Sequence, residues 1–200
     1  YLDFMLDENA RTRVQRRSIF WNSIRSFLLE RGYVEVHTPI LETKTGGAEA
    51  RPFITHHNAL DIEVYLRISH ELWHKKVVLG GVPKVFEIGQ VFRNEGMSAE
   101  HAQDYIHMEL YEAFSDARTG VPMIINMYRA AAQATWGTQK FTINGFEIDL
   151  AAEWGSLDYN TLMQERFGFD PREVSLEVVK EKLNQEHISF DASLDIGRGV

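Results

Sequence analysis

FEIGQVFRNEGMSAEHAQDYIHMELYEAFSD, running from Phe86 to Asp116, holds two apolar-rich runs parted by a polar loop. Phe86 to Arg93 and Tyr105 to Phe114 have strand character. The roughly eleven residues between them are too many for a tight hairpin turn, which gives the loop a task of its own. Read with period two, one face of the second run carries Tyr105, His107, Glu109 and Tyr111. The other face carries Ile106, Met108, Leu110 and Glu112 and is mostly apolar. Arg93 and Glu95 stand two residues apart at the end of the first run. A cation, two carboxylates, a ring and a phenol together describe a binding floor. The plain alternative is the solvated face that many antiparallel sheets carry.

Working outward, the flanks repeat this mixture of helix and strand. Asn9 to Arg31 has a helical period, with Val14, Phe20, Trp21, Ile24, Phe27 and Leu28 on one stripe and most of its arginines elsewhere. Those arginines form either an RNA-facing patch or a solvated helix face. Tyr33 to Leu41 reads as a strand, and Pro39, lacking a backbone donor, assigns it to an edge or interface. Thr45 to Ala50 is a loop holding Gly46 and Gly47. Pro52 to Thr55 and Glu63 to Ile68 read as strands, the latter with Val64, Leu66 and Ile68 on its apolar face. Ser69 is placed to cap a helix from His70 to Leu79. Val121 to Thr135 reads as a helix with Pro122 in its first turn and Met123, Ile124, Met127 and Tyr128 facing the core. Phe141 to Leu150 reads as a hairpin turning at Asn144-Gly145. Helices follow over Tyr159 to Phe167 and Ser175 to Glu186. No repeat and no long linker appears, so one domain over residues 1–200 is expected.

Composition narrows the function classes. The 200 residues are 44% hydrophobic, enough for a sizeable core. A formal charge of −8 argues against a DNA-coating module, though not against local contact with RNA. Without cysteine there are no disulfides or thiolate metal sites, which is compatible with a reducing compartment. No run of 18 apolar residues and no signal peptide is present, so a soluble, cytoplasmic protein without membrane contact is expected. A chain opening on Tyr1 is expected to be a piece of a longer one.

His70-Glu71-Leu72-Trp73-His74 spells H-E-x-x-H, the pattern in which two histidines one helical turn apart share zinc and the glutamate acts as base. His107 is a candidate third ligand. A zinc-dependent hydrolase is therefore an alternative function.

Phe92-Arg93-Asn94-Glu95-Gly96, a loop reaching His101, then Met108-Glu109-Leu110-Tyr111 resembles motif 2 of class II lysyl-tRNA synthetases. Gly46 to Asn58 resembles the same family almost residue for residue. The likeness is strong from Tyr1 to Asp116 and looser to Leu150. It implies an α+β fold, an antiparallel sheet flanked by helices, as in a truncated class II catalytic domain without the anticodon-binding domain. It implies ATP-dependent formation of lysyl-adenylate and transfer of lysine to tRNA(Lys), with Mg2+ held by residues outside this chain. By resemblance Arg93 is catalytic and meets ATP with Glu95, His101 and Tyr105. Gly47, Glu71, Glu109 and Tyr111 would bind lysine, and residues 9–41 would form the homodimer contact of motif 1. Motif 3 is missing, because Gly197-Arg198-Gly199 lacks its context. Glu100, and Ile106 where the family has a hydroxyl, also depart from the pattern. The chain alone is thus expected to be weak or inactive, and a non-catalytic paralogue is a further alternative.

Overall fold

The computed structural model describes residues 1–96, 98 and 101–190. Glu100 and Gly197-Arg198-Gly199 lie outside the described residues. Two compact units result, one covering Tyr1–Ala151 and the other starting at Ala152.

Helix α1 (Leu2–Leu6) leads into α2 (Glu8–Leu29), whose first turn is capped by the Asp7 carboxylate accepting from the Asn9 N–H at 2.8 Å. Ile24, Phe27 and Leu28 of α2 are buried, and Phe20 and Trp21 pack on the same core. Val14 is 55% exposed, so the apolar stripe is shorter than its period predicts. The first half of α2 lies against α1, where Arg11 donates to the carbonyls of Phe4 and Met5. Arg25 is engaged too, its Nε donating to both Glu35 oxygens at 3.0 and 2.9 Å.

The expected strand from Tyr33 to Leu41 breaks into β1 (Val34–Glu35) and β2 (Leu41–Glu42). Thr38 explains the break. Its N–H and hydroxyl both donate to the Glu87 carboxylate, so neither serves a ladder, and Pro39 has no donor to offer. The chain crosses here from one sheet to another.

Next come β3 (Ile54–His57), β4 (Ile62–Leu66), α3 (Glu71–Leu79), β5 (Lys84–Phe92) and β6 (Asp104–Glu112). Sheet order is β1-β5-β6 in the first sheet and β2-β4-β3 in the second. Pairing is antiparallel apart from β1 with β5. Strands β5 and β6 align without a bulge from Lys84 opposite Glu112 to Phe92 opposite Asp104. Their apolar face, Phe86 and Ile88 with Met108 and Leu110, packs on α2 and on α4 (Ala117–Trp136). The fold is α+β with antiparallel sheets flanked by helices.

Helix α4 starts four residues before its expected Val121, because Asp116 and Thr119 form a capping box. That puts Pro122 inside the helix, not in its first turn, and leaves the Arg118 carbonyl without its usual amide donor. Met127 is buried and Met123 and Ile124 pack on the core, but Tyr128 is 54% exposed, contrary to the sequence reading. Pro122→Ala is expected to raise the urea midpoint of unfolding, by up to about 3 kcal/mol in stability. An unchanged midpoint rules out a cost at this position.

Strands β7 (Lys140–Ile143) and β8 (Phe146–Asp149) form the expected hairpin, with Asn144 and Gly145 both at positive φ. In the second unit, α5 (Tyr159–Phe167) and α6 (Leu176–Gln185) are capped by Asp158 and Ser175.

Candidate functional site

The polar face of the β5–β6 ladder is where chemistry collects. Across it Val91 faces Tyr105, Gly89 faces His107, Glu87 faces Glu109 and Val85 faces Tyr111. Two carboxylates directly opposite repel each other unless each has its own partner. Here each does.

Glu87 is 2% exposed and meets Arg67, equally buried, at 2.6 Å. Arg67 also donates to the carbonyls of Gln90 and Thr38. Burial favours the neutral carboxyl of Glu87, but His74, Thr38 and Arg67 outweigh it and hold the pKa down at about 2. A Cβ at Gly89 would stand 3.2 Å from His70 Nε2 and collide with the Arg67 guanidinium, so only glycine admits this arrangement.

Glu109 is served from α3. Its Oε1 accepts from the Ser69 hydroxyl at 2.8 Å and the His70 N–H at 3.1 Å, where the helix N-terminus favours negative charge. The Ser69 oxygen in turn accepts from the Glu71 N–H, so this residue caps α3 from one position earlier than the helix boundary. Gly47 has φ +86, and a Cβ there would lie 2.7 Å from both Glu71 Cβ and Ser69 Oγ. The glycine loop is therefore pressed onto the start of α3. Glu71 pairs with Lys75 at 2.6 Å. The Tyr111 phenol is pushed up to about 12, chiefly by burial and then by the charges of Glu109 and Glu71, so it stays protonated and able to donate.

At the other end of the row, Arg93, Glu95, Gly96, His101, Ala102 and Tyr105 line a cleft of about 320 Å³. The Arg93 guanidinium sits 5.6 Å from the centre of the Tyr105 ring and donates to the Ile68 carbonyl at 3.4 Å. Tyr105 touches His107 edge-on, with centroids 5.9 Å apart, and His107 Nδ1 lies 3.3 Å from Glu109. The four residues expected to meet ATP thus share one cleft. Those expected to meet lysine, Gly47, Glu71, Glu109 and Tyr111, gather beside it on the same face.

The histidines are arranged differently from the H-E-x-x-H expectation. His70 stands at the start of α3 without capping it, and its ring lies nearly parallel to that of His74, 5.6 Å away and inclined by 11°. The ring of His70 also lies against that of His107, 5.7 Å away and inclined by 26°. Among the described residues, the donors that converge are those of His70, His107 and Glu109, without His74. His74 is fully buried, with Nε2 3.6 Å from Glu87 and its ring edge-on to Tyr111.

Sequence reasoning misses Arg67, Glu87 and Gly89, and gives Ser69 only its role as a helix cap. A signal existed for two of them. Arg67 sits between Leu66 and Ile68, and Glu87 between Phe86 and Ile88. A lone charge between apolar neighbours in a buried run almost always needs an opposite partner.

The description of tRNA synthetases class II (D, K and N) matches residues 1–190. The chain belongs to the class II tRNA synthetases. This class II synthetase chain is similar to the lysine–tRNA ligase of Leuconostoc mesenteroides, 38% identical over 198 residues, which cover 98% of the chain and 40% of that relative. It is similar to the lysine–tRNA ligase of Thermoanaerobacter sp. (strain X514), 41% identical over 93% of the chain and 38% of the relative. The lysine–tRNA ligase of Thermotoga maritima is 38% identical over 96% of the chain and 38% of its own length. The synthetase chain therefore spans about two fifths of these curated relatives. Among its described residues no helix is long and apolar enough to cross a membrane.

Proposed function

We propose that this chain supplies the lysine pocket and part of the ATP site of a cytoplasmic lysine–tRNA ligase, as part of one catalytic domain. One observation carries the reading: an arginine-and-ring cleft and an acid–phenol pocket adjoin on one sheet face. The names of the similar proteins agree with it.

The chemistry follows from that adjacency. A carboxylate oxygen of lysine attacks the α-phosphorus of ATP, forming an acyl–phosphate bond, and pyrophosphate departs with the electrons of the broken P–O bond. A hydroxyl at the 3′ end of tRNA(Lys) then attacks the acyl carbon, and AMP leaves. Arg93 suits the first step. Its planar fork binds carboxylate and phosphate oxygens together and offsets charge that builds at phosphorus. Tyr105 offers a ring face for adenine, with Glu95 and His101 at the edges of the cleft. Glu109 receives the side-chain ammonium, and Tyr111 lies beside it as a neutral donor. Glu71 and the Gly47 loop lie where an α-amino group would be met. Holding the reactants in line removes much of the entropic barrier.

Mg2+ would balance the phosphate charge. Glu95 is the one acid among the described residues lining the cleft, which is no cage for that ion, so no step here runs through it. Residues 9–41 are the proposed homodimer contact, supported by the exposed apolar side chains of Leu29, Val34 and Ile40.

The test is lysine-dependent exchange of pyrophosphate into ATP by the full-length protein. Exchange that requires lysine, and falls by about 10²–10³-fold in Arg93→Ala, is the expected result. Exchange indifferent to lysine, or untouched by loss of the guanidinium, rejects the reading.

A further inference from the structure

His70 has a feature that lysine binding does not explain. Its imidazole is fully buried, and neither ring nitrogen has a hydrogen-bond partner. Buried polar atoms are nearly always paired, and each exception calls for a reason. His107 Nδ1 is likewise buried and unpartnered, although it lies 3.3 Å from Glu109 Oε1. His70 Nδ1 stands 3.8 Å from the same oxygen. One ligand atom from each of His70, His107 and Glu109 falls within 4.8 Å of the other two. A tetrahedral ion with bonds of about 2.0–2.1 Å spaces its donors by roughly 3.4 Å. The separations from Glu109 already lie near that spacing, and because the His70 and His107 rings face each other 5.7 Å apart, inclined by 26°, one of them turns for both to ligate.

We propose that His70, His107 and Glu109 hold a divalent transition-metal ion of the Zn2+ class, and that this ion and the lysine ammonium exclude each other at Glu109. The exclusion rests on the lysine reading above, whereas the metal site stands without it.

The donor set fits the ion. Two imidazole nitrogens and one carboxylate oxygen suit zinc and not magnesium, and three protein ligands leave a fourth position open. Burial lowers the pKa of His70, to about 3, and of His107, so both rings are neutral, the form that ligates. Part of the outer support is in place. Ser69 and the His70 amide fix Glu109 Oε1. Glu87 Oε1 stands 3.8 Å from the second nitrogen of His70, beyond hydrogen-bond reach but on the side where zinc-bound histidines usually have a carboxylate. The nearby Arg67 charge is met by Glu87 at 2.6 Å. His107 keeps about a third of its side chain exposed, at 32%, which gives an ion a way in. An ion on Glu109 occupies the carboxylate that an incoming ammonium would need, and the two cations repel.

Co2+, whose visible absorption reports tetrahedral nitrogen and oxygen ligation, is the probe. The full-length protein is expected to bind one Co2+ per chain and to release it to Zn2+. Losing an outer-shell partner already costs 10–100-fold, so His107→Gln should weaken binding by about 100-fold or more. Glu109→Gln, with an isosteric side chain, is a second variant with the same expectation. His56→Gln, at an exposed histidine remote from the cluster, should bind as wild type. No saturable Co2+ absorption, or affinity unchanged in both ligand variants, overturns the site. Added lysine should then bleach the Co2+ bands, while alanine, with the same α-amino and carboxylate groups, should not. Bands that persist under lysine overturn the exclusion if the protein still performs lysine-dependent exchange. Absence of that exchange in wild type instead rejects the ligase reading and leaves the Co2+ titration to decide the site.

Discussion

Glu109→Gln is expected to lower kcat/KM for lysine by about 10³-fold in the pyrophosphate exchange of the full-length protein, with little change in KM for ATP. The carboxylate is largely buried and held by Ser69 and the His70 amide. Its remaining lone pairs are what a lysine ammonium would meet. Truncating one partner of a buried, hydrogen-bonded charge pair costs about 2–5 kcal/mol, and about 4 kcal/mol, within that range, corresponds to the loss stated. Glutamine keeps the shape and can still accept from Ser69, so the effect reads out charge and not collapse of the pocket. The cleft around Arg93 and Tyr105 lies further along the row, which is why ATP should be spared. A variant that uses lysine within threefold of wild type would sink the assignment of Glu109.

Glu87→Gln tests the scaffold beneath. It leaves the guanidinium of Arg67 buried without its ion-pair partner, a change that typically costs about 3–5 kcal/mol. For a protein of this size that corresponds to a fall in Tm of on the order of 10 °C. The variant should also change the acid limb of the stability curve. Folding lowers the Glu87 pKa from 4.5 to about 2, so its stabilisation is complete above pH 4.5 and is lost as pH falls toward 2. In Glu87→Gln that loss is absent, and the curve between those limits flattens. The groups facing the carboxyl are Arg67, Thr38, His70 and His74. Thermal melts from pH 2 to 7 provide the measurement. A Tm within two degrees of wild type at neutral pH would mean that the pair carries no stability here.

These two residues also mark the limit of what the chain discloses by itself. Glu109 could be assigned to the pocket from its alternation with Tyr105, His107 and Tyr111, because a strand repeats every two residues whatever surrounds it. The helix periods, the hairpin at Asn144-Gly145 and the long loop after Arg93 were legible for the same reason: each is set by neighbours a few residues apart. The resemblance around Arg93 and Glu109 added the ligand classes, which no local period encodes.

Glu87 is in plain view in the sequence, but its role depends on Arg67, a partner 20 residues away that follows the end of β4. Thr38 was placed in a strand, but the buried carboxylate drew its donors out of the ladder. The H-E-x-x-H spelling gives His70 and His74 a common ion, whereas tertiary packing sets His70 against both His74 and His107 and groups its donor with those of His107 and Glu109. By itself the sequence determined the elements, the polar face of β6 and the family likeness. Only the tertiary structure decided which charges met and which nitrogens were left unpaired, because burial energies depend on distance through space and not on separation along the chain.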